Sequence, residues 1–419
     1  MRKPTKLMRS RNLFIGVGFA ALLGALAVGQ AALEETAAAQ ASGKQAPRFE
    51  VDPLWPKPLP NHWVLGSTIG VWVDADDHIW VIHRSSATLA NNEKPLEMGT
   101  GECCAGAPPV LEFDQAGNLL RHWGGPGQGY EWPDSNHGIF IDYKGNVWIG
   151  GNGPGDSHVL KFTKDGKFLL QVGKKNARRK EGAVAGKNEG DVANFVGGSN
   201  DPVSFGRVAK IFVDQQANEA YIADGYLNKR VAVIDADTGK MKRFWGAYGN
   251  KPDDTPLAAY DPSAPPAQQF RNPVHCADMS VDRLVYVCDR VGDRLQVFTP
   301  DGKFVKEAFY EKNTKNAGSV WDVAFSRDPQ QRYIFMPDGV NEKVKIIDRQ
   351  TLEELTTFGD GGRQPGQFYG VHSIATDSKG NLYTTETYEG KRLQRFILKG
   401  MAPVTAMNQG AAATWPQSK

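Results

Sequence analysis

Cysteine is scarce in this chain: Cys103, Cys104, Cys276 and Cys288 are all there are in 419 residues. None has the spacing of a structural zinc motif. An excess of charge is also missing, with 49 Lys and Arg against 47 Asp and Glu. The uncharged apolar run at residues 13–28 is too short for a comfortable membrane span. It follows a basic start (Arg2, Lys3, Lys6, Arg9, Arg11) and leads to small residues, with a candidate cleavage site at Ala39-Gln40-Ala41. That is the pattern of a secretory signal peptide, here residues 1–41, with an uncleaved anchor as the alternative. Arg9-Ser10-Arg11 is not a twin-arginine pair. General secretion in a bacterium is therefore expected, giving a periplasmic or secreted protein. The segment holds five basic and two acidic residues, so its removal turns a formal charge of +2 into −1. A near-neutral mature chain lacks the basic face a nucleic-acid partner requires. No membrane association is expected after signal cleavage, and a monomer is expected.

What the chain has is glycine, aromatics and a repeat. Residues 136–151 combine an apolar run, an Asp-x-x-Gly-Asn turn at Asp142 to Asn146, and a second apolar run, which reads as a β-hairpin. Versions of it recur. Six units begin near residues 70, 136, 208, 274, 319 and 371, each with short strands separated by turn signals; the fifth is the least regular. This period predicts an all-β, six-bladed β-propeller over residues 62–398. The sixth unit lacks an outer strand. The stray strand at residues 63–66 ends in Leu65-Gly66 much as two outer strands end in Trp123-Gly124 and Trp245-Gly246. It is expected to close the ring by completing the last blade and covering an exposed edge. Residues 42–61 read as a proline-rich leader and residues 399–419 as a disordered tail. Insertions at residues 174–207 and 250–272 read as surface loops. The first carries a basic cluster (Lys174, Lys175, Arg178, Arg179, Lys180), read as a solvated charge run, with substrate gating as the lesser reading.

Aligning the first strands of the units places Ile69, His137, Ala209, His275, Trp321 and His372 at one position. In a propeller these strands line the central channel, so histidines on alternate blades converge on the axis. A single histidine at a strand start is usually structural. Three at one level form a tripod with open positions, as in catalytic zinc sites, so His137, His275 and His372 are candidate metal ligands. His62, His78, His83, His122 and His158 do not share the register. Aligning the ends of the second strands puts Arg84 and Arg290 at equivalent positions on the same face, with Tyr226 close behind Asp224. Guanidinium forks suit a carboxylate, and a tyrosine beside a cation can serve as a base. The plainer readings are a local ion pair for each arginine and a packing role for Tyr226. Cys276 and Cys288 are equidistant from Asp282 and fall opposite each other across a hairpin, where a disulfide or two buried thiols are equally compatible. Vicinal Cys103-Cys104 has no assignment.

The Gly145-Asn146-Val147-Trp148-Ile149 and Phe-x-x-Asp-Gly-Lys patterns resemble NHL repeats across residues 62–398. Within them, Val81-Ile82-His83-Arg84, Asn136-His137-Gly138-Ile139, Asp224-Gly225-Tyr226-Leu227-Asn228-Lys229-Arg230, Pro273-Val274-His275, Asp289-Arg290 and Val371-His372 resemble the motifs of peptidyl-α-hydroxyglycine α-amidating lyases. The tyrosine motif is the most specific match. The resemblance implies a zinc held by His137, His275 and His372, with Tyr226, Arg84 and Arg290 catalytic. Asp224 and Asp289 stand behind them. It further implies cleavage of a carbinolamide bearing a carboxylate, a small molecule or a peptide, to an amide and glyoxylate. The chain departs from the family pattern at Ser373, where the family has an aspartate associated with structural calcium. That weakens the case for calcium, although Val71 and Ile139 stand where main-chain ligands would be. Leu227 replaces a family cysteine. No segment here resembles the partner monooxygenase domain, so the substrate is expected to be made elsewhere or to be something other than a peptidylglycine. A non-catalytic exported propeller that binds a ligand or partner, and a metal-dependent hydrolase or lactonase on the same scaffold, are the alternatives.

Overall fold

The structure, a computed structural model, describes residues 43–181 and 194–409. The expected signal segment 1–41, residues 182–193 of the first insertion and residues 410–419 of the tail lie outside the described residues. Six four-stranded antiparallel sheets make an all-β six-bladed propeller. The inner strands are Thr68–Val73, Asn136–Ile141, Val208–Asp214, Val274–Met279, Ala324–Phe325 and Val371–Thr376. Among the described residues, no helix is long and apolar enough to cross a membrane.

Each blade grades from dry to wet. Second strands such as Ile79–His83 and Val147–Gly151 are buried throughout, whereas outer strands such as Leu119–Trp123 alternate between half-buried and exposed. Continuous apolar runs on the inner strands and alternation on the outer ones follow from burial on two faces or on one. The core is six wedges, one between each pair of neighbouring blades. Trp80, Ile139 and Leu160 fill the wedge between the first and second blades; Cys276, Val323 and Met336 lie in the one between the fourth and fifth. Each such apolar side chain contributes about 1.5–3 kcal/mol on burial. The repeated turn has a local cause. Asp142 accepts hydrogen bonds from the amides of Lys144 and Asn146 and from the Trp148 indole. Asp74 and Asp377 repeat this with Trp80 and Tyr383.

An N-terminal strand closes the last blade, as expected, but it comes from another segment than residues 63–66. Gln45–Asp52, within the segment read as a leader, pairs antiparallel with Arg392–Pro403 and supplies the last blade's outer strand. Phe49 and Val51 drop into the wedge between the fifth and sixth blades. The prolines that marked this region cluster after residue 52, and Pro47 sits at a register shift, where a missing N–H does least harm. Trp63–Val64 instead pairs in parallel with Ala105–Gly106 on a two-stranded ribbon, and the Trp63 ring meets His122. Within the segment read as a disordered tail, Val404 donates to the Lys44 carbonyl and Gln409 to that of Thr357. Arg178, read as part of a solvated run, is buried and pairs with Asp201 at 3.0 Å. Cys276–Cys288 and Cys103–Cys104 are both disulfides.

One irregularity prepares the site. The inner strands of the first, second, third, fourth and sixth blades all carry a register shift at the level of residues 69, 137, 209, 275 and 372. A bulge leaves one residue out of the ladder and re-aims its side chain and carbonyl. In the fifth blade, ladder pairing of the inner strand begins only at Ala324, so Trp321 is likewise outside it.

Candidate metal centre

The three histidines meet on the axis. Their ring centroids are 5.1, 4.9 and 4.8 Å apart for the pairs 137–275, 137–372 and 275–372. One ligand atom of each lies within 4.8 Å of the others. The intervening blades do the aiming. His137 Nδ1 lies 2.6 Å from the Ala209 carbonyl and His372 Nδ1 2.7 Å from that of Ile69; His275 Nδ1 pairs with the Trp321 carbonyl. A carbonyl only accepts, so each Nδ1 carries the proton and each Nε2 turns a lone pair inward. Ile69, Ala209 and Trp321 are the other three members of the six-residue ring. Gly138 permits the close approach, because a Cβ there would meet the Ala209 carbonyl oxygen at 2.6 Å. Burial holds all three imidazoles well below the usual histidine pKa, reinforced by Arg290 for each, by Arg84 for His137 and His372, and by the neighbouring imidazoles for His137 and His275. They are neutral, as ligands must be.

Tyr226 lies over the tripod. Its hydroxyl is 2.9 Å from His137 Nε2 and 3.1 Å from His275 Nε2, and Arg290 Nη1 donates to it at 3.3 Å. The Arg290 guanidinium stacks on Trp321, 4.5 Å from the ring centre. Arg84 donates to the Asn136 carbonyl and, through Nη2 at 3.0 Å, to the Asn152 side chain. The structure thus brings Arg84, Tyr226 and Arg290 to one mouth with the histidines. Asp224 and Asp289 stand back from it. Asp224 binds Arg230, Asn228 and the Gly206 amide; Asp289 binds Arg294. They fix the loops that carry Tyr226 and Arg290. Gly225 is needed for the same loop, since a Cβ would lie 2.1 Å from the Val274 carbonyl oxygen.

Below the tripod lies a second layer. Lys210 Nζ is 2.5 Å from Asp322 and 3.1 Å from Asp278, and Ser373 donates to Asp322 at 2.7 Å. Burial opposes the ammonium charge, but the two carboxylates together raise the Lys210 pKa. Burial pushes Asp278 up to about 7 despite Lys210. Ile139 and Ser373, two of the positions weighed for calcium, line the narrow space between the layers beside Lys210. The cation at this depth is a side chain of the protein itself. The layer was legible in principle: the residues after the ring positions are Gly70, Gly138, Lys210, Cys276, Asp322 and Ser373.

Three neutral imidazoles with fixed tautomers and converging Nε2 atoms suit a divalent transition metal, zinc among them. A cavity of about 730 Å³ opens at the far end of the inner strands between Trp72, Phe140, Phe212 and Phe325. It holds none of these ligands, and the convergent donors favour the tripod as the chemical centre.

The fold and site together define a six-bladed propeller with a candidate metal centre in its channel. No protein-family model matches the chain. It is similar to a solved streptogramin B lyase, at 13% identity and a TM-score of 0.47 over 86% of this chain and 99% of that one. It is also similar to a catalytically inactive virginiamycin B lyase from Staphylococcus aureus solved with quinupristin, at 12% and 0.43 over 85% and 89%. A Bacteroides thetaiotaomicron protein of unknown function matches at 12% and 0.49 over 85% and 77%. No residue role is taken from these likenesses.

Proposed function

We propose that this protein is an exported, metal-dependent lyase that cleaves a carbinolamide, a peptidyl- or N-acyl-α-hydroxyglycine, to an amide and glyoxylate. The carrying observation is the Tyr226 hydroxyl, which is within hydrogen-bond reach of two tripod histidines and of Arg290. His137, His275 and His372 would hold the metal, zinc by preference. A metal there supplies Lewis acidity that lowers the pKa of a substrate hydroxyl.

The chain's own residues do the rest. Tyr226 as phenolate takes the proton from the substrate hydroxyl. The oxygen electron pair closes the new C=O bond of glyoxylate while the C–N bond breaks. The amide nitrogen takes a proton as it leaves, and no oxidant or water is consumed. Arg290 donates to the Tyr226 oxygen and is placed to meet charge as it develops there. Arg84, held by Asn152, is the second guanidinium for the substrate carboxylate. The buried tripod and the indole of Trp321 keep the floor dry, which strengthens each of these interactions. Export rests on the basic start and apolar run of residues 1–41. The test is glyoxylate release from an N-acyl-α-hydroxyglycine by protein of measured metal content. Fully loaded protein that releases no glyoxylate from a panel of such substrates would refute the reading.

A further inference from the structure

Two of the three residues that aim the histidines are anchored one position further along by charge. Ala209, whose carbonyl accepts from His137, precedes Lys210; Trp321, whose carbonyl accepts from His275, precedes Asp322; His372 itself precedes Ser373. Lys210, Asp322 and Ser373 then bind one another across the channel, from the third, fifth and sixth blades. Asp278, three residues beyond His275, joins from the fourth blade. Asp322 also accepts from the amides of Val323 and Ile374. Lys210 Nζ, Asp278 and Asp322 are all at least nine-tenths buried.

We propose that the Lys210–Asp278–Asp322–Ser373 cluster is a positioning clamp for the histidine tripod. It joins four blades close to the ring positions and so fixes the direction of the Ala209 and Trp321 carbonyls, which set the tautomers of His137 and His275. The physical argument is one of geometry. The Ala209 and Trp321 carbonyls are freed from their ladders by irregular backbone, so the inter-strand hydrogen bonds do not hold them. The buried ion cluster one residue away constrains both, and at Trp321 it adds to the hydrogen bonds of the amide to the Pro337 carbonyl and of the indole to the Gly318 carbonyl. Outer partners of metal-bound histidines matter on the scale of about 10–100-fold in metal affinity. This inference rests on the metal reading above for one of its two readouts and is independent of it for the other.

Lys210→Met alone strands two buried carboxylates and can fail to fold for that reason. The informative variant is the neutral, near-isosteric Lys210→Met/Asp278→Asn/Asp322→Asn triple. Its melting temperature, its zinc affinity by chelator competition, and the tautomers of its ¹⁵N-labelled histidines without metal are measured beside the wild type. The expected result is a folded variant whose zinc affinity falls about 10–100-fold and whose His137 and His275 lose their Nδ1–H form, while His372, aimed by the Ile69 carbonyl of the first blade, keeps it. Wild-type affinity together with wild-type tautomers in the folded variant would overturn the clamp. If the wild type binds no zinc, the metal reading falls. The clamp then stands on loss of the tautomer lock in the variant, or falls with its retention.

Discussion

His137 Nδ1 lies 2.6 Å from the main-chain oxygen of Ala209, and the two residues occupy the same ring position on neighbouring blades. The relation repeats for His372 with Ile69 and for His275 with Trp321, so a ring of six residues divides into three ligands and three acceptors. Each acceptor is a backbone group, which side-chain substitution cannot remove. The ligands are the vulnerable half. Purified wild-type protein is expected to carry close to one divalent metal per chain by elemental analysis. His137→Ala and His372→Ala should each lose most of it, because two imidazoles do not retain a metal that three do. Full metal content in either variant would contradict the assignment.

Tyr226 hydrogen-bonds two of the ligands through its hydroxyl and packs its ring edge-on against both. Tyr226→Phe keeps the ring and its packing and removes only the oxygen. Loss of a proton-transferring group costs about 10²–10⁴ in rate. The glyoxylate-releasing kcat should fall by that factor while metal content and melting temperature stay near wild type. A variant with undiminished turnover would leave Tyr226 a packing residue.

The blades and the tripod were visible in the sequence because both are periodic. Asp142 and Asp377 make their turns locally, so Asp-x-x-Gly-Asn marks the inner hairpins of the second and sixth blades without tertiary help. The histidines share a register that alignment by turn exposes. Closure of the ring was misread for the opposite reason. Gln45–Asp52 pairs with residues about 350 positions later, and nothing local marks it beyond the alternation of Phe49 and Val51. Leu65-Gly66 matched the outer-strand ending, yet of that stretch only Trp63 and Val64 enter a ladder. Lys210 was passed over because one lysine in an apolar strand reads as an outward-facing residue. Its role emerges only when Asp278 and Asp322 arrive from other blades.

The two guanidinium groups divide the carboxylate task unequally. Arg290 touches Tyr226 and stacks on Trp321, whereas Arg84 is tied to Asn152 and the Asn136 carbonyl. A hydrogen bond to a charged group is worth about 1.5–3 kcal/mol, or roughly 10–150-fold. Arg84→Met should raise KM for an N-acyl-α-hydroxyglycine by about that factor and leave kcat little changed. Arg290→Met should lower kcat as well. The effect of Arg84→Met should shrink against a substrate whose carboxylate is replaced by a carboxamide. An equal loss on both substrates would show that Arg84 does not bind the carboxylate.

His83 carries a pH prediction that does not involve the metal centre. It is fully buried, and its Nδ1 accepts from the amides of Gly66 at 3.1 Å and Ser85 at 3.0 Å, while Nε2–H donates to the Pro108 carbonyl at 2.9 Å. Both backbone donors need the Nδ1 lone pair, so protonation would break them. Burial accordingly pushes the His83 pKa down to about 4. In the unfolded chain it titrates near about 6.5. Between these values the unfolded state binds more protons than the folded one, so stability is complete above about 6.5 and is lost as pH falls toward 4. The whole shift corresponds to about 3 kcal/mol. A His83→Asn variant, unable to take a proton, should be less stable than the wild type at pH 8. Its melting temperature should fall less steeply than that of the wild type from pH 6.5 to 4, so that the two curves converge. Parallel curves over that range would mean that His83 is not held neutral by the fold.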